Sequence, residues 1–241
     1  MPDHSEASHA PTLLDPIAPG RANERRVLRG TYAAALLLVI VSVLTVIAVG
    51  EVMGKAAPIV AATLEFAAIV AVFRVSGVRR VAYRTGLAVA LVALLGVMAL
   101  NVSGAVLPFT VGVLLMFLLT LSGQAAVIKR LATYRAIDFQ FVLGLLVVYV
   151  LIGLAFAYLY LLVELVFGSA FTKALTLSSA EYYSYITLAT VGYGDISPVN
   201  PIAQSLAVGE AIFGQLYLVS VVSIAVGSFG RSRFADKPSA E

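Results

Sequence analysis

The sequence predicts an all-α integral membrane protein with six transmembrane helices. Of its 241 residues, 61% are hydrophobic and 12% are charged, about half the charged share of an ordinary soluble domain. Six apolar runs, each suited to crossing about 30 Å of hydrocarbon as a helix, alternate with polar segments. The chain contains no cysteine, which excludes disulfides and thiolate chemistry.

The six predicted spans form two groups. They cover residues 31–49, 57–73, 85–100, 105–121, 139–167 and 200–229. Because the fifth is the longest of the first five, we expect it to be tilted or to project beyond the bilayer. The predicted divisions are a disordered cytoplasmic tail at 1–27, a four-helix domain at 28–128, an interfacial linker at 129–138, a second membrane domain at 139–232 and a short cytoplasmic tail at 233–241.

Basic residues orient the chain in the membrane. Fourteen of the 16 Lys and Arg residues lie in the two tails, the connection between spans two and three, and the linker between spans four and five. Six spans place all four segments on one side, and only Lys55 and Lys173 fall on the other. The positive-inside rule then predicts a multi-pass protein of the plasma membrane with both termini in the cytoplasm.

A glycine-containing hexapeptide, TVGYGD, occupies residues 190–195 between the last two spans. Gly192 and Gly194 tolerate positive φ, as a chain needs when successive carbonyl groups must point the same way. Closely spaced backbone carbonyls can replace the water shell of K⁺, and Thr190 can add a hydroxyl oxygen. A glycine-rich surface turn is the alternative explanation.

The stretch from residue 180 to residue 198 resembles the pore region of tetrameric potassium channels, and the hexapeptide resembles their selectivity filter. The resemblance implies a re-entrant pore helix and a homotetramer around one axial pore. It implies that K⁺ binds at Thr190, Val191, Gly192 and Tyr193, with Gly194 completing the filter. The expected partners are K⁺, the lipid bilayer and three identical subunits, with no nucleic acid and no other cofactor. Because Tyr193 keeps the family pattern, we favour potassium over sodium.

Several residues are expected to support the filter. Ser178 and Glu181 fit a capping box at the start of the pore helix. By resemblance, Tyr182 and Tyr183 pack around the filter, although they could be ordinary interfacial aromatic residues. Asp195 either bonds to these aromatic residues or attracts cations at an exposed mouth. Ala189 and Ile186 depart from the family pattern and leave inactivation open.

The last span carries further candidates. Glu210 is an ionisable residue inside a span, which is costly without a partner, so we expect it behind the filter, bonded to Thr187 or Ser184. Gly214 matches the hinge glycine of many potassium-channel inner helices, but close helix packing explains it equally well. Gln215 is a candidate for lining the cavity.

The six-span layout resembles that of voltage-gated channels, but the gating charges are missing. Residues 106–126 contain no basic residue, so a sensor of the arginine-rich type is absent or strongly degraded. Glu65, an acid within the first four spans, could be a remnant counter-charge, a protonatable site or a bonded structural acid. The gating stimulus is not predicted.

The resemblance implies a potassium-selective channel that conducts passively and is not gated by fourth-helix charges. The first alternative is a weakly selective cation channel. The second is the membrane subunit of a potassium transporter, although such subunits resemble four linked filter repeats and this chain has one. We expect no enzyme, because no nucleophile–base pair or set of metal ligands is recognisable.

Overall fold

The described part of the chain is helical. The computed structural model describes residues 19–49, 57–77, 84, 86–89, 91–92, 95, 106–134 and 137–235. Its helices are α1 (Pro19–Val49), α2 (Ala57–Val75), α3 (Val106–Leu131), α4 (Phe139–Phe167), α5 (Leu177–Leu188) and α6 (Pro201–Ala235); the described residues between 84 and 95 are also helical. No strand occurs among the described residues, apart from one isolated bridge, which confirms the all-α class for this part.

Four of the described helices are long and apolar enough to cross a membrane. These segments are Tyr32–Val49, Phe109–Leu131, Phe139–Phe167 and Pro201–Gly227. Helix α2 coincides with the second predicted span. The predicted third span falls mostly outside the described residues, so the count of six spans stays a prediction.

Three helices extend beyond their predicted ends. Helix α1 begins at Pro19, so residues 19–27 are helical and not part of a disordered tail; residues 1–18 lie outside the described part. Helix α3 continues to Leu131 and includes Lys129 and Arg130, which we expected in the linker. Helix α6 likewise continues beyond residue 232, the predicted end of the second membrane domain, to Ala235. For α3 the reason is electrostatic, because Lys129 and Arg130 lie in its last turn, where cations favour the helix dipole.

Helix α4 lies at the centre of the packing. It contacts α1, α3, α5 and α6, while α1 also contacts α2 and α5. Its start is capped by Asp138, whose carboxylate accepts a 2.9 Å hydrogen bond from the Phe141 amide. Helix α4 therefore connects the first helices of the chain to α5 and α6, between which the hexapeptide lies.

Gly153 of α4 allows α5 to pack closely. A methyl group at Gly153 would lie 2.4 Å from Cε1 of Tyr185, and that ring is held because its hydroxyl donates to the Val150 carbonyl at 2.8 Å. We therefore expect Gly153→Ala to lower the free energy of unfolding by about 1–3 kcal/mol through overpacking. Thermal unfolding in detergent measures the effect.

Gly123→Ala is the matched control, because the nearest atoms to its new methyl group would be 3.9 and 4.0 Å away. It should be neutral or stabilising, since alanine favours a helix over glycine by up to about 1 kcal/mol. Equal midpoints of thermal unfolding for the Gly153 and Gly123 variants would contradict close packing at Gly153.

Candidate functional site

Helix α5 begins with a capping box, but not with the predicted one. Thr176 is the N-cap: its hydroxyl accepts from the Ser179 amide, and the Ser179 hydroxyl accepts from the Thr176 amide at 2.8 Å. The predicted box of Ser178 and Glu181 is therefore wrong. The helix begins earlier than expected, which moves Glu181 into the helix, where it is fully buried.

The segment after the hexapeptide is tied to the segment before α5. Phe171 and Pro198 form an antiparallel bridge. The Thr172 amide donates to the Ser197 carbonyl at 2.9 Å, and the Val199 amide donates to the Ala170 carbonyl at the same distance. These bonds join residues 170–172 to residues 197–199. They therefore fix both ends of the segment that contains α5 and the hexapeptide.

The backbone of the predicted filter alternates in handedness. Thr190, Gly192 and Gly194 have φ values of 56°, 53° and 80°. The two glycines adopt this region at little cost. Thr190 does not, and a strained non-glycine residue costs about 1–3 kcal/mol and is often found at functional sites. The spacing of Gly192 and Gly194 predicted their positive φ values, whereas the positive φ of Thr190 was not predicted.

Backbone amides of the predicted filter are anchored to the end of α5. The Val191 and Gly192 amides donate to the Ile186 carbonyl at 2.8 and 3.2 Å, and the Thr190 amide donates to the Thr187 carbonyl at 2.9 Å. Within the described part of the chain, no group donates to the backbone carbonyls of residues 190–193. These four oxygens are thus free to serve as ligands, and carbonyl oxygens suit a cation.

The two tyrosines after Glu181 face different partners. The Tyr182 hydroxyl donates to Oδ1 of Asp195 at 3.3 Å, so the residue after the filter is connected to α5. Tyr183 is buried, and its ring packs edge-on against those of Tyr160 and Phe171 at centroid distances of 5.0 and 5.2 Å. Thr187 contributes its backbone carbonyl to the anchoring described above.

Helix α6 contacts the inner end of the predicted filter. The Gln215 side-chain amide donates to the Thr190 hydroxyl at 3.2 Å. A methyl group at Gly214 would lie 2.6 Å from the Leu188 carbonyl oxygen, and α6 continues as a helix through this position. The contact gives Gly214 a packing role against the end of α5, while its role as a hinge stays a prediction.

Glu210 of α6 is fully buried behind α5. The Tyr160 hydroxyl donates to its Oε2 at 2.6 Å. Ser184 Oγ lies 2.5 Å from Glu210 Oε1 and 2.6 Å from the Gly153 carbonyl oxygen. A serine hydroxyl has one hydrogen, so it cannot donate to both. Both contacts are hydrogen bonds if the Glu210 carboxyl is protonated and donates to Ser184, which donates to Gly153.

Sequence reasoning missed part of this network. The position of Tyr160 near the outer end of its span predicted an interfacial aromatic residue, but Tyr160 is fully buried, and Gly153 gave no signal of its own. The one available signal was the acid at position 210, because a buried carboxyl requires hydrogen-bond partners. Which helix supplies those partners depends on the packing of α4 between α5 and α6.

A single chain exposes the predicted filter. The side chains of Val191 and Tyr193 are 51% and 72% exposed. The apolar residues Val208, Ile212 and Leu216 recur every four positions on α6 and are also exposed. The predicted filter therefore lies on an open face of the single chain, next to an apolar surface suited to lipid or to further chains.

Residues 144–229 match a family model described as "Ion channel". The match covers less than half of the chain and includes most of α4, all of α5, the hexapeptide and most of α6. No curated protein and no solved structure matches the chain. Residues 144–229 are thus similar to an ion channel domain. Together with the apolar helices, the match indicates a membrane protein.

Two substitutions test whether the Glu210 carboxyl group is protonated. In Glu210→Gln, the amide can donate to Ser184 while its oxygen accepts from Tyr160, so we expect thermal stability close to that of the unsubstituted protein. In Glu210→Ala, the buried Tyr160 hydroxyl loses its acceptor, which costs about 1–3 kcal/mol. Thermal unfolding of both variants in detergent makes the comparison. A glutamine variant as unstable as the alanine variant would show that an ionised carboxylate is required.

Proposed function

We propose that the protein is a potassium-selective channel in which four copies of residues 190–194 surround one axial pore. The observation that carries the proposal is the backbone of this segment, whose amides are bonded to α5 while four carbonyl oxygens stay free. Carbonyl rings of this kind replace the hydration shell of K⁺. The match to an ion channel family over the same region supports the general class.

The geometry of one chain favours an assembly. One strand offers oxygen ligands from one direction only, whereas a dehydrated ion needs them on all sides. The exposed Tyr193 side chain and the apolar stripe on α6 supply surface that neighbouring chains can cover. In this proposal Gln215, bonded to Thr190, lines the cavity below the filter, and K⁺ is the transported ion.

The proposed channel conducts passively, without gating charges on α3. Lys129 and Arg130 lie in the last turn of that helix, and the preceding residues 106–128 contain no Lys or Arg. Moving charge through the membrane field is what makes opening steeply voltage-dependent. We therefore expect the current to lack the steep voltage dependence that such charges produce.

Reversal potentials across planar bilayers test selectivity. With high K⁺ and low Na⁺ on one side and low K⁺ and high Na⁺ on the other, the current through the purified protein should reverse near the K⁺ equilibrium potential. A reversal potential near zero would support the weakly selective cation channel instead. Absence of any current from a correctly folded, reconstituted protein would contradict a channel.

Gly192→Ala tests whether the left-handed backbone is required. No atom lies within 4 Å of the added methyl group, so the substitution acts on the conformation at φ 53° and not through a clash. Left-handed backbone costs an L-residue about 1–2 kcal/mol, and each of four chains would carry this cost. We expect a loss of most K⁺ current.

Gly209→Ala is the matched control for this test. Its methyl group also has no neighbour within 4 Å, but Gly209 lies in α6 without positive φ. It should keep the K⁺ current. Equal currents from the Gly192 and Gly209 variants would contradict the role assigned to the backbone of the filter.

A further inference from the structure

Two buried carboxyl groups meet between α2 and α5, apart from the ion-binding segment. Glu65 of α2 and Glu181 of α5 are each 0% exposed. The two carboxyl groups are close enough to interact with each other, and no donor between them is assigned. On the α4 side, the Tyr158 hydroxyl donates to Oε2 of Glu65. The contact joins the four-helix region to the helix that carries the predicted filter.

The pair lacks hydrogen-bond donors. Oε1 of Glu65 and both carboxyl oxygens of Glu181 have no donor among the described residues. An ionised carboxyl group only accepts hydrogen bonds, and leaving a buried acceptor unpaired is costly. A proton on one carboxyl converts it into a donor to the other. Two carboxyl groups at one buried site commonly resolve their repulsion by sharing a proton in this way.

The surroundings offer no substitute for that proton. Tyr158 on α4 already donates to Glu65, and Tyr185 on α5 donates to the Val150 carbonyl. Glu210 on α6 is the next acid, and its bonding partners are Tyr160 and Ser184. The described part of α1 that faces α5 has no ionisable side chain near Ile47, the residue whose carbonyl accepts from Ser178. The electrostatic interactions found for each of the two carboxyl groups are with the other carboxyl group and not with a basic side chain.

We propose that Glu65 and Glu181 form a proton-binding site that couples α2 to the position of α5. With a proton bound, one carboxyl donates to the other and the two helices stay together. Without it, two like charges repel each other in a medium of low dielectric constant. Glu181 lies five residues before Ile186, whose carbonyl anchors the filter amides, so displacement of α5 would disturb that anchor.

Infrared difference spectroscopy tests proton binding on the full-length protein in lipid. A buried protonated carboxyl gives its own carbonyl band, which should disappear as pH is raised. Glu210 contributes a second such band, so we expect Glu181→Gln and Glu65→Gln each to remove the band of the pair and to leave that of Glu210. A band of the pair that titrates unchanged in both variants, or no titrating band in Glu210→Gln, which lacks the second carboxyl, would overturn the proposal. This measurement does not depend on ion conduction.

The coupling between the proton site and α5 rests on the proposed function. The K⁺ flux from liposomes measures this coupling. Flux through the unsubstituted protein should fall by about tenfold as pH rises, within the range usual for coupled sites. In either glutamine variant the amide can donate to the remaining carboxyl, so flux should lose its pH dependence. A pH-independent flux in the unsubstituted protein would overturn the coupling.

Glu164→Gln is the matched control for both measurements. Glu164 lies on α4 and accepts from the Ala170 amide at 2.8 Å through Oε2, a bond that a glutamine oxygen can also accept. This variant should keep the titrating infrared band and the pH dependence of flux. Loss of either in Glu164→Gln would contradict the assignment to Glu65 and Glu181. If no variant conducts while the band titrates as expected, the proposed function fails and the proton site stands.

Discussion

The anchoring of three consecutive amides to the end of α5 is the constraint on which the candidate site depends. The carbonyls of Ile186 and Thr187 accept from residues 190–192, so the amide side of this segment is occupied and its carbonyl oxygens stay free. The position of α5 therefore decides where those oxygens lie. Gly153 and Gly214 let α5 approach α4 and α6 closely, which ties the site to two long helices.

Buried acids surround α5, and hydroxyl groups supply most of their hydrogen bonds. Ser184 and Tyr160 bond to Glu210, and Tyr158 bonds to Glu65. Intramembrane acids are costly unless partnered, and no salt bridge to these acids occurs among the described residues. Hydroxyl contacts restrain α5 without placing a cation beside the proposed ion path. The contact between Glu65 and Glu181 extends these restraints to α2 and gives the first helices of the chain a physical link to the site.

Hydropathy predicted α4 to the residue, but it placed the start of α1 too late and the end of α3 too early. Apolar composition marks where a helix meets hydrocarbon, whereas backbone hydrogen bonds can continue into polar sequence such as residues 19–30. Local spacing also misassigned Glu181, because Ser178 and Glu181 fit the sequence pattern of a capping box better than Thr176 and Ser179 do. Burial by a distant helix distinguishes the two, and a single sequence does not contain that information. The positive φ of Gly192 and Gly194 was anticipated because glycine spacing signals it locally, whereas that of Thr190 was not.

Anomalous X-ray scattering from crystals grown with Rb⁺ in place of K⁺ tests the central claim most directly, because it locates the ion and the symmetry of its ligands together. The account predicts a row of anomalous peaks on a four-fold axis, each peak surrounded by carbonyl oxygens of residues 190–193 from four chains. Peaks elsewhere, or a filter segment far from any symmetry axis with no bound ion, would contradict it.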